Sequence, residues 1–255
     1  MLNFWKVNLL SAMEYKTSFV LQVFLMIVND TVFMFVRYFF FQKFGNIWWT
    51  DFYGFLPLLS IEVMAFAFFH VFFGWYKKIP ELVMNWWLDS YILRPKNILL
   101  TILINWMSIS AIGDFFYGIA LMMFLPNITI WLWLWMIFLS FFGGMVFLGF
   151  LLIFISMAFF IWSSRELFDA VFQSVMWPVH YPPKIFDWTI LKYIFMSIIP
   201  AYYVWFLPYE LALSFSWLKL MILIFAAVFF LSLWSMVFYL WLKKYESGNA
   251  INVNL

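Results

Sequence analysis

Apolar runs of membrane-spanning length decide what this chain can fold into. About 20 mostly apolar residues let a helix cross roughly 30 Å of hydrocarbon, and such runs occur at 19–41, 55–76, 98–125, 131–162 and 217–242. In hydrocarbon every backbone N–H and C=O needs a partner within the protein, which admits helices and excludes lipid-exposed loops. Only 10% of the residues are charged, against about 25% in soluble domains, too few to coat a water-facing surface. The expected fold class is all-α integral membrane, a single transmembrane domain over 1–255.

The same sequence removes several chemistries. It has no cysteine, hence no disulfide, thiolate nucleophile or cysteine-held metal. Its two histidines, His70 and His180, are too far apart in sequence to suggest a zinc pair. The net charge of +2 is not gathered into a basic run, so nucleic acid is not an expected partner. The start of the chain lacks a cleavable leader pattern. There Lys6, Glu14 and Lys16 alternate with Leu2, Trp5, Leu9 and Met13, which predicts an interfacial helix over 1–17.

Two regions resist simple segmentation. As a straight helix, 131–162 would be on the order of 48 Å long, so it should tilt, bend or protrude, with Gly143-Gly144 as the expected flexure. Between 163 and 208, prolines at 178, 182, 183, 200 and 208 cut the apolar run into pieces. Ser163 and Glu166 have the spacing of a capping box, predicting a helix from 164 that stops before Pro178. That gives a short fifth span over 164–179, followed by short outer helices over 180–216 and a sixth span at 217–242. The other segmentation makes 186–207 the fifth span; both give six.

Lysine and arginine accumulate in short cytoplasmic loops. With the N-terminus inside, Lys6, Lys16, Lys77, Lys78, Arg94, Lys96, Arg165, Lys243 and Lys244 are cytoplasmic, and Lys43, Lys184, Lys192 and Lys219 lie outside. Both termini are therefore expected in the cytoplasm.

The polar island at 77–97 separates the second and third spans. Pro80 suits a first helical turn, Ile79, Leu82, Val83 and Trp86 recur at helical spacing, and Lys78, Glu81, Asn85 and Asp89 take the other side. An amphipathic surface helix is expected, either an unpartnered loop or a docking element. Leu88-Asp89 with Leu93-Arg94-Pro95-Lys96-Asn97 resembles the cytoplasmic motif of bacterial type-2 ABC exporter permeases, a group that includes drug-efflux-like members. Pro178-Val179-His180-Tyr181-Pro182, Ile198-Ile199-Pro200-Ala201-Tyr202 and Phe206-Leu207-Pro208 are similar to that family's segment before its last span. Where its members usually carry a glycine before Leu-Asp, this chain has Trp86-Trp87.

The resemblance implies a six-span permease of the bacterial cytoplasmic (inner) membrane, with a cytoplasmic coupling helix between spans 2 and 3. It implies a pair of permeases, two copies or two related chains, and an ABC ATPase dimer that binds ATP and Mg. This chain lacks a G-x-x-x-x-G-K-[ST] phosphate loop and would carry no cofactor, metal or catalytic residue of its own. Trp86, Trp87 and Leu88 would be apolar anchors, with Lys77, Lys78, Glu81, Asp89 and Arg94 setting register.

Asp30, Arg37, Glu62, His70 and Asp114 fall inside predicted spans, where an unpaired charge costs at least a few kcal/mol. Asp30, Glu62, His70 and Asp114 are candidates for a translocation path or subunit interface; the competing role is to tie helices together through buried pairs. Arg37, near a span end, is expected to snorkel outward. Trp48-Trp49 and Trp131, Trp133 and Trp135 read as interfacial belt residues. The intramembrane acids also keep an ion-coupled secondary transporter open as an alternative. A membrane enzyme finds no convergent acid pair or metal cluster in its support.

Overall fold

A computed structural model describes residues 2–46, 50–85, 87–105, 107–125, 128–160, 164–187 and 189–245. Trp48, Trp49, Trp86 and the capping residue Ser163 lie outside the described residues, as do the side chains of Lys77 and Arg165. Among the described residues every element is helical: α1 (Leu2–Glu14), α2 (Lys16–Phe44), α3 (Phe52–Phe73), α4 (Ile79–Met84), α5 (Asp89–Ile92) and α6 (Ile98–Ile104) form the first half. Then come α7 (Ser110–Met122), α8 (Ile130–Ile155), α9 (Ser164–Met176), α10 (Leu191–Ser197), α11 (Leu207–Leu213) and α12 (Trp217–Leu242). Among them α2, α3, α8 and α12 are long and apolar enough to cross a membrane. A bent pair, 191–197 with 202–213, makes a fifth crossing if taken as one span, and α7 is a shorter apolar helix. The protein is a multi-pass membrane protein.

The bundle is organised around α3 and α8. Asp51 caps α3 by accepting the Gly54 N–H at 2.8 Å, and Thr129 caps α8 by accepting the Leu132 N–H at 3.2 Å, each satisfying an otherwise orphaned donor. α8 packs against α3, α12 and α9. It is a single helix with no break at Gly143-Gly144. These glycines serve close approach instead: a Cβ on Gly143 would sit 2.5 Å from the Val204 carbonyl oxygen, and one on Gly144 2.8 Å from that of Ala65. The helix also stops sooner than the run 131–162 suggested, turning at Ile155 into a 3-10 segment, Ser156–Phe159.

The third apolar run, 98–125, is not one helix. α6 ends at Ile104 and α7 begins at Ser110. Between them Asn105 Nδ2 donates to the Tyr91 hydroxyl at 2.9 Å, Ser108 N–H donates to the His70 carbonyl at 3.2 Å, and Ser108 Oγ lies 3.2 Å from Ser110 Oγ. Short polar side chains and out-of-helix backbone bonds compete with helix continuation at such points. The Ser108–His70 bond sets α7 antiparallel to α3, and Gly118 then faces Met64.

The proline-rich region ends its first helix near Pro178, as its sequence predicts, and continues in short helical pieces. α10 spans Leu191–Ser197, and the segment at 202–213 is helical and bent by 83° from α10. Pro208 stands where the π-helical turn Tyr202–Phe206 passes into α11, and the segment stays helical through it. Three long-range bonds fix this piece. Trp205 Nε1 donates to the Val175 carbonyl at 2.7 Å, Tyr209 Oη to that of Gly54 at 3.0 Å, and Trp135 Nε1 to that of Leu211 at 3.1 Å.

At the opposite end, α1 is tethered beneath α3 and α6: Trp5 Nε1 donates to the Phe72 carbonyl at 3.3 Å and Asn8 Nδ2 to that of Ile104 at 3.1 Å. Val7, Leu10 and Met13 stay exposed. The island is two short helices, α4 and α5, rather than one. Ile79, Leu82 and Val83 are buried as the helical stripe predicted, with α4 against the 3-10 turn after α8.

Candidate functional site

α2 meets the bundle along a narrow stripe that includes Met26, Asp30, Met34 and Arg37, spaced by three or four residues, while most of its other side chains are exposed. Facing that stripe, α3 presents Glu62 and α7 presents Asp114 and Tyr117 around a cavity of about 220 Å³. His180, from the 3-10 turn after α9, closes one side, and Phe33 and Phe66 add aromatic walls.

Two groups of polar side chains share the cavity. Arg37 Nη2 lies 3.4 Å from Glu62 Oε2 and 2.6 Å from His180 Nδ1. A guanidinium only donates, so His180 Nδ1 is the acceptor and the ring proton sits on Nε2. Arg37 therefore does not snorkel outward as its position suggested. Its side chain is 18% exposed, and the buried acid turns it inward. The second group is Asp30 with Asp114, whose carboxyls lie within hydrogen-bonding reach of each other. Both oxygens of Asp114, Oδ2 of Asp30 and the Tyr117 hydroxyl are buried, and beyond the Asp30–Asp114 contact and a contact of Tyr117 with Thr31 they meet no hydrogen-bond partner among the described residues.

His70 is placed elsewhere. Its Nδ1 is 3.0 Å from the Phe66 carbonyl, its Nε2 3.1 Å from the Tyr76 hydroxyl, and its ring stacks on Phe66 at 3.8 Å. These contacts tie the end of α3 to the following turn, and His70 does not line the cavity.

The polar end of the bundle is the other candidate surface. Lys78 Nζ pairs with Glu81 Oε2 at 2.7 Å, and the Arg94 guanidinium lies over the Tyr91 ring at 4.9 Å. Trp87 is 62% and Leu93 84% exposed. Leu88, expected as an outward anchor, is fully buried, because its N–H folds back onto the Leu82 carbonyl at 3.0 Å. Burial and the neighbouring Asp89 carboxylate push the Tyr245 hydroxyl up to about 12, so it stays protonated and links the chain beyond α12 to α5. Tyr239 Oη adds a 3.0 Å bond to Asn97 Oδ1.

A family model described as ABC-2 family transporter protein matches residues 24–249. The chain belongs to the ABC-2 transporter family. No curated protein and no solved structure matches it. ABC-2 proteins are the membrane subunits of ABC transporters and in general work with an ABC ATPase partner. In this ABC-2 protein the match takes in both candidate sites, from α2 to the end of α12.

Arg37, Tyr117 and His180 are among the cavity residues that sequence reasoning did not select as site residues. A signal existed for Arg37: it falls on the stripe of α2 that carries Asp30, seven residues earlier. No spacing in one chain could bring His180 from a separate element against Arg37.

Proposed function

We propose that this chain is the permease subunit of an ABC exporter, moving a hydrophobic or amphipathic substrate when a separate ATPase dimer closes on ATP and Mg. The observation that carries the reading is the family match across 24–249. The protein works as six spans in the bacterial inner membrane, with both termini cytoplasmic and paired with a second permease, identical or related. α4, α5 and the turn between them form the coupling element. Trp87 and Leu93 supply exposed apolar anchors for a cleft in the ATPase, while Lys77, Lys78, Glu81, Asp89 and Arg94 fix register. Trp86 belongs to the same turn by sequence.

The test uses the assembled complex. Reversing charge at Asp89 and Arg94, in protein that folds and assembles, is expected to abolish substrate-stimulated, vanadate-sensitive ATPase activity while basal hydrolysis persists. Undiminished stimulation would remove the coupling role. A second reading, ion-coupled secondary transport, draws on the Asp30–Asp114 pair; it requires transport driven by an ion gradient with no ATPase present.

A further inference from the structure

The acid pair has a feature that helix-tying does not explain. A structural carboxylate in a membrane protein is normally paired, because an unpaired charge there is expensive. Glu62 obeys that rule through Arg37. Asp114 does not: it is 2% exposed, lines the cavity, and its side chain meets another acid, Asp30, rather than a cation. Tyr117, 8% exposed and one helical turn on, lines the same space with its hydroxyl within reach of Thr31. Asp30 faces Asp114 from α2 within hydrogen-bonding reach, and two carboxyls so placed share a proton and keep one negative charge between them. Arg37 is already engaged by Glu62 and His180, so neither basic side chain lining the cavity is free for the charge that remains.

From this geometry we infer that the cavity between α2, α3 and α7 is a binding site for an organic cation, an amine or quaternary ammonium head held between Asp30 and Asp114. The inference deepens the transport reading and rests on it only for the role of the bound molecule. The cation supplies the countercharge that the proton-sharing pair lacks. Phe33 and Phe66 on the walls suit it, since aromatic faces attract cations. An inorganic metal ion suits the site less well, because no group of three or more potential ligands is assembled among the described residues. At about 220 Å³ the cavity is below the roughly 300–1,000 Å³ of typical ligand pockets. It therefore holds a compact cation, or the head of a longer amphiphile. Phe33, 57% exposed on α2, marks the rim past which a tail can leave toward lipid.

The experiment is direct binding to the full chain in lipid nanodiscs, with radiolabelled benzyltrimethylammonium as probe, because a quaternary cation cannot lose its charge. Saturable binding is expected, displaced by tetraethylammonium and not by uncharged benzamide or by benzenesulfonate. Asp114→Asn and Asp30→Asn should each weaken it by tenfold or more, whereas Asp30→Glu, which keeps the charge, should retain most of it. Asp187→Asn, an acid outside the cavity that pairs with Lys192, should leave it unchanged. The cation should also raise the thermal unfolding midpoint of the parent chain and not that of Asp114→Asn, which reports on the site even if that variant is less stable.

Equal displacement by benzamide, displacement by sodium or magnesium ions alone, or full affinity in Asp114→Asn overturns the inference. Because the assay needs no ATPase, a bound cation that fails to stimulate hydrolysis in the complex counts against the transport role and leaves the site standing. Absent binding with intact coupling does the reverse.

Discussion

The Arg37 guanidinium lies 3.4 Å from the Glu62 carboxylate, joining α2 to α3. α2 otherwise touches α3 sparingly and leans mainly on α7, so this pair fixes the C-terminal half of a largely exposed helix. Removing one partner of a buried pair leaves an uncompensated charge and costs about 3–5 kcal/mol. Arg37→Met and Glu62→Gln should each lower the unfolding midpoint in detergent, and the double variant should lose less than the sum. Strict additivity of the two losses would mean that the contact contributes no coupling.

The glycines of α8 and α7 should respond in a defined order. A Cβ at Gly143 would meet the backbone oxygen of Val204 at 2.5 Å, whereas one at Gly118 first meets the Met64 side chain, Cγ at 2.6 Å. Backbone cannot swing aside and a methionine side chain can. Gly143→Ala is expected to cost at the upper end of the roughly 1–3 kcal/mol typical of overpacking, and Gly118→Ala less. Thermal melts of both variants decide it; a larger loss at Gly118 would contradict this packing.

Leucines 88 and 93 stand five residues apart in the island and should behave oppositely. Leu88 is fully buried and Leu93 is 84% exposed. Leu88→Ala should destabilise the chain by about 2–5 kcal/mol through cavity formation. Leu93→Ala, like Trp87→Ala, should leave stability within about 0.5 kcal/mol yet reduce ATPase stimulation in the complex. Wild-type stimulation in both exposed variants would move the docking surface elsewhere.

These residues also show where the sequence was legible. Long apolar runs gave α2, α3, α8 and α12 directly, and the i, i+3, i+4 stripe correctly buried Ile79, Leu82 and Val83, because one helix face is a local property. The break between α6 and α7 was hidden. Its causes, the bonds from Asn105 to Tyr91 and from Ser108 to His70, link residues 14 or more positions apart. The inward turn of Arg37 was hidden for the same reason, since its partners come from α3 and from the turn after α9. The acids were visible one at a time, and only packing distinguishes Glu62, paired with Arg37, from Asp114, which meets another acid.

The orientation drawn from lysine and arginine can be tested without prior mutagenesis of native thiols, because the chain has no cysteine. Lys16, Lys43, Lys184 and Lys244 are all exposed, so a single cysteine at each should be reactive wherever water reaches it. Lys43 lies in the last turn of α2, 27 residues beyond Lys16, a separation of about 40 Å along a straight helix and more than the hydrocarbon thickness. The two positions must therefore report opposite sides. In intact cells a membrane-impermeant maleimide is expected to label Lys43→Cys and Lys184→Cys, and to label Lys16→Cys and Lys244→Cys only after permeabilisation. Labelling of Lys16→Cys from outside would invert the topology and place α4 and α5 beyond the reach of any cytoplasmic ATPase. Labelling of Lys43→Cys and Lys184→Cys from opposite sides would remove one crossing from the region between them.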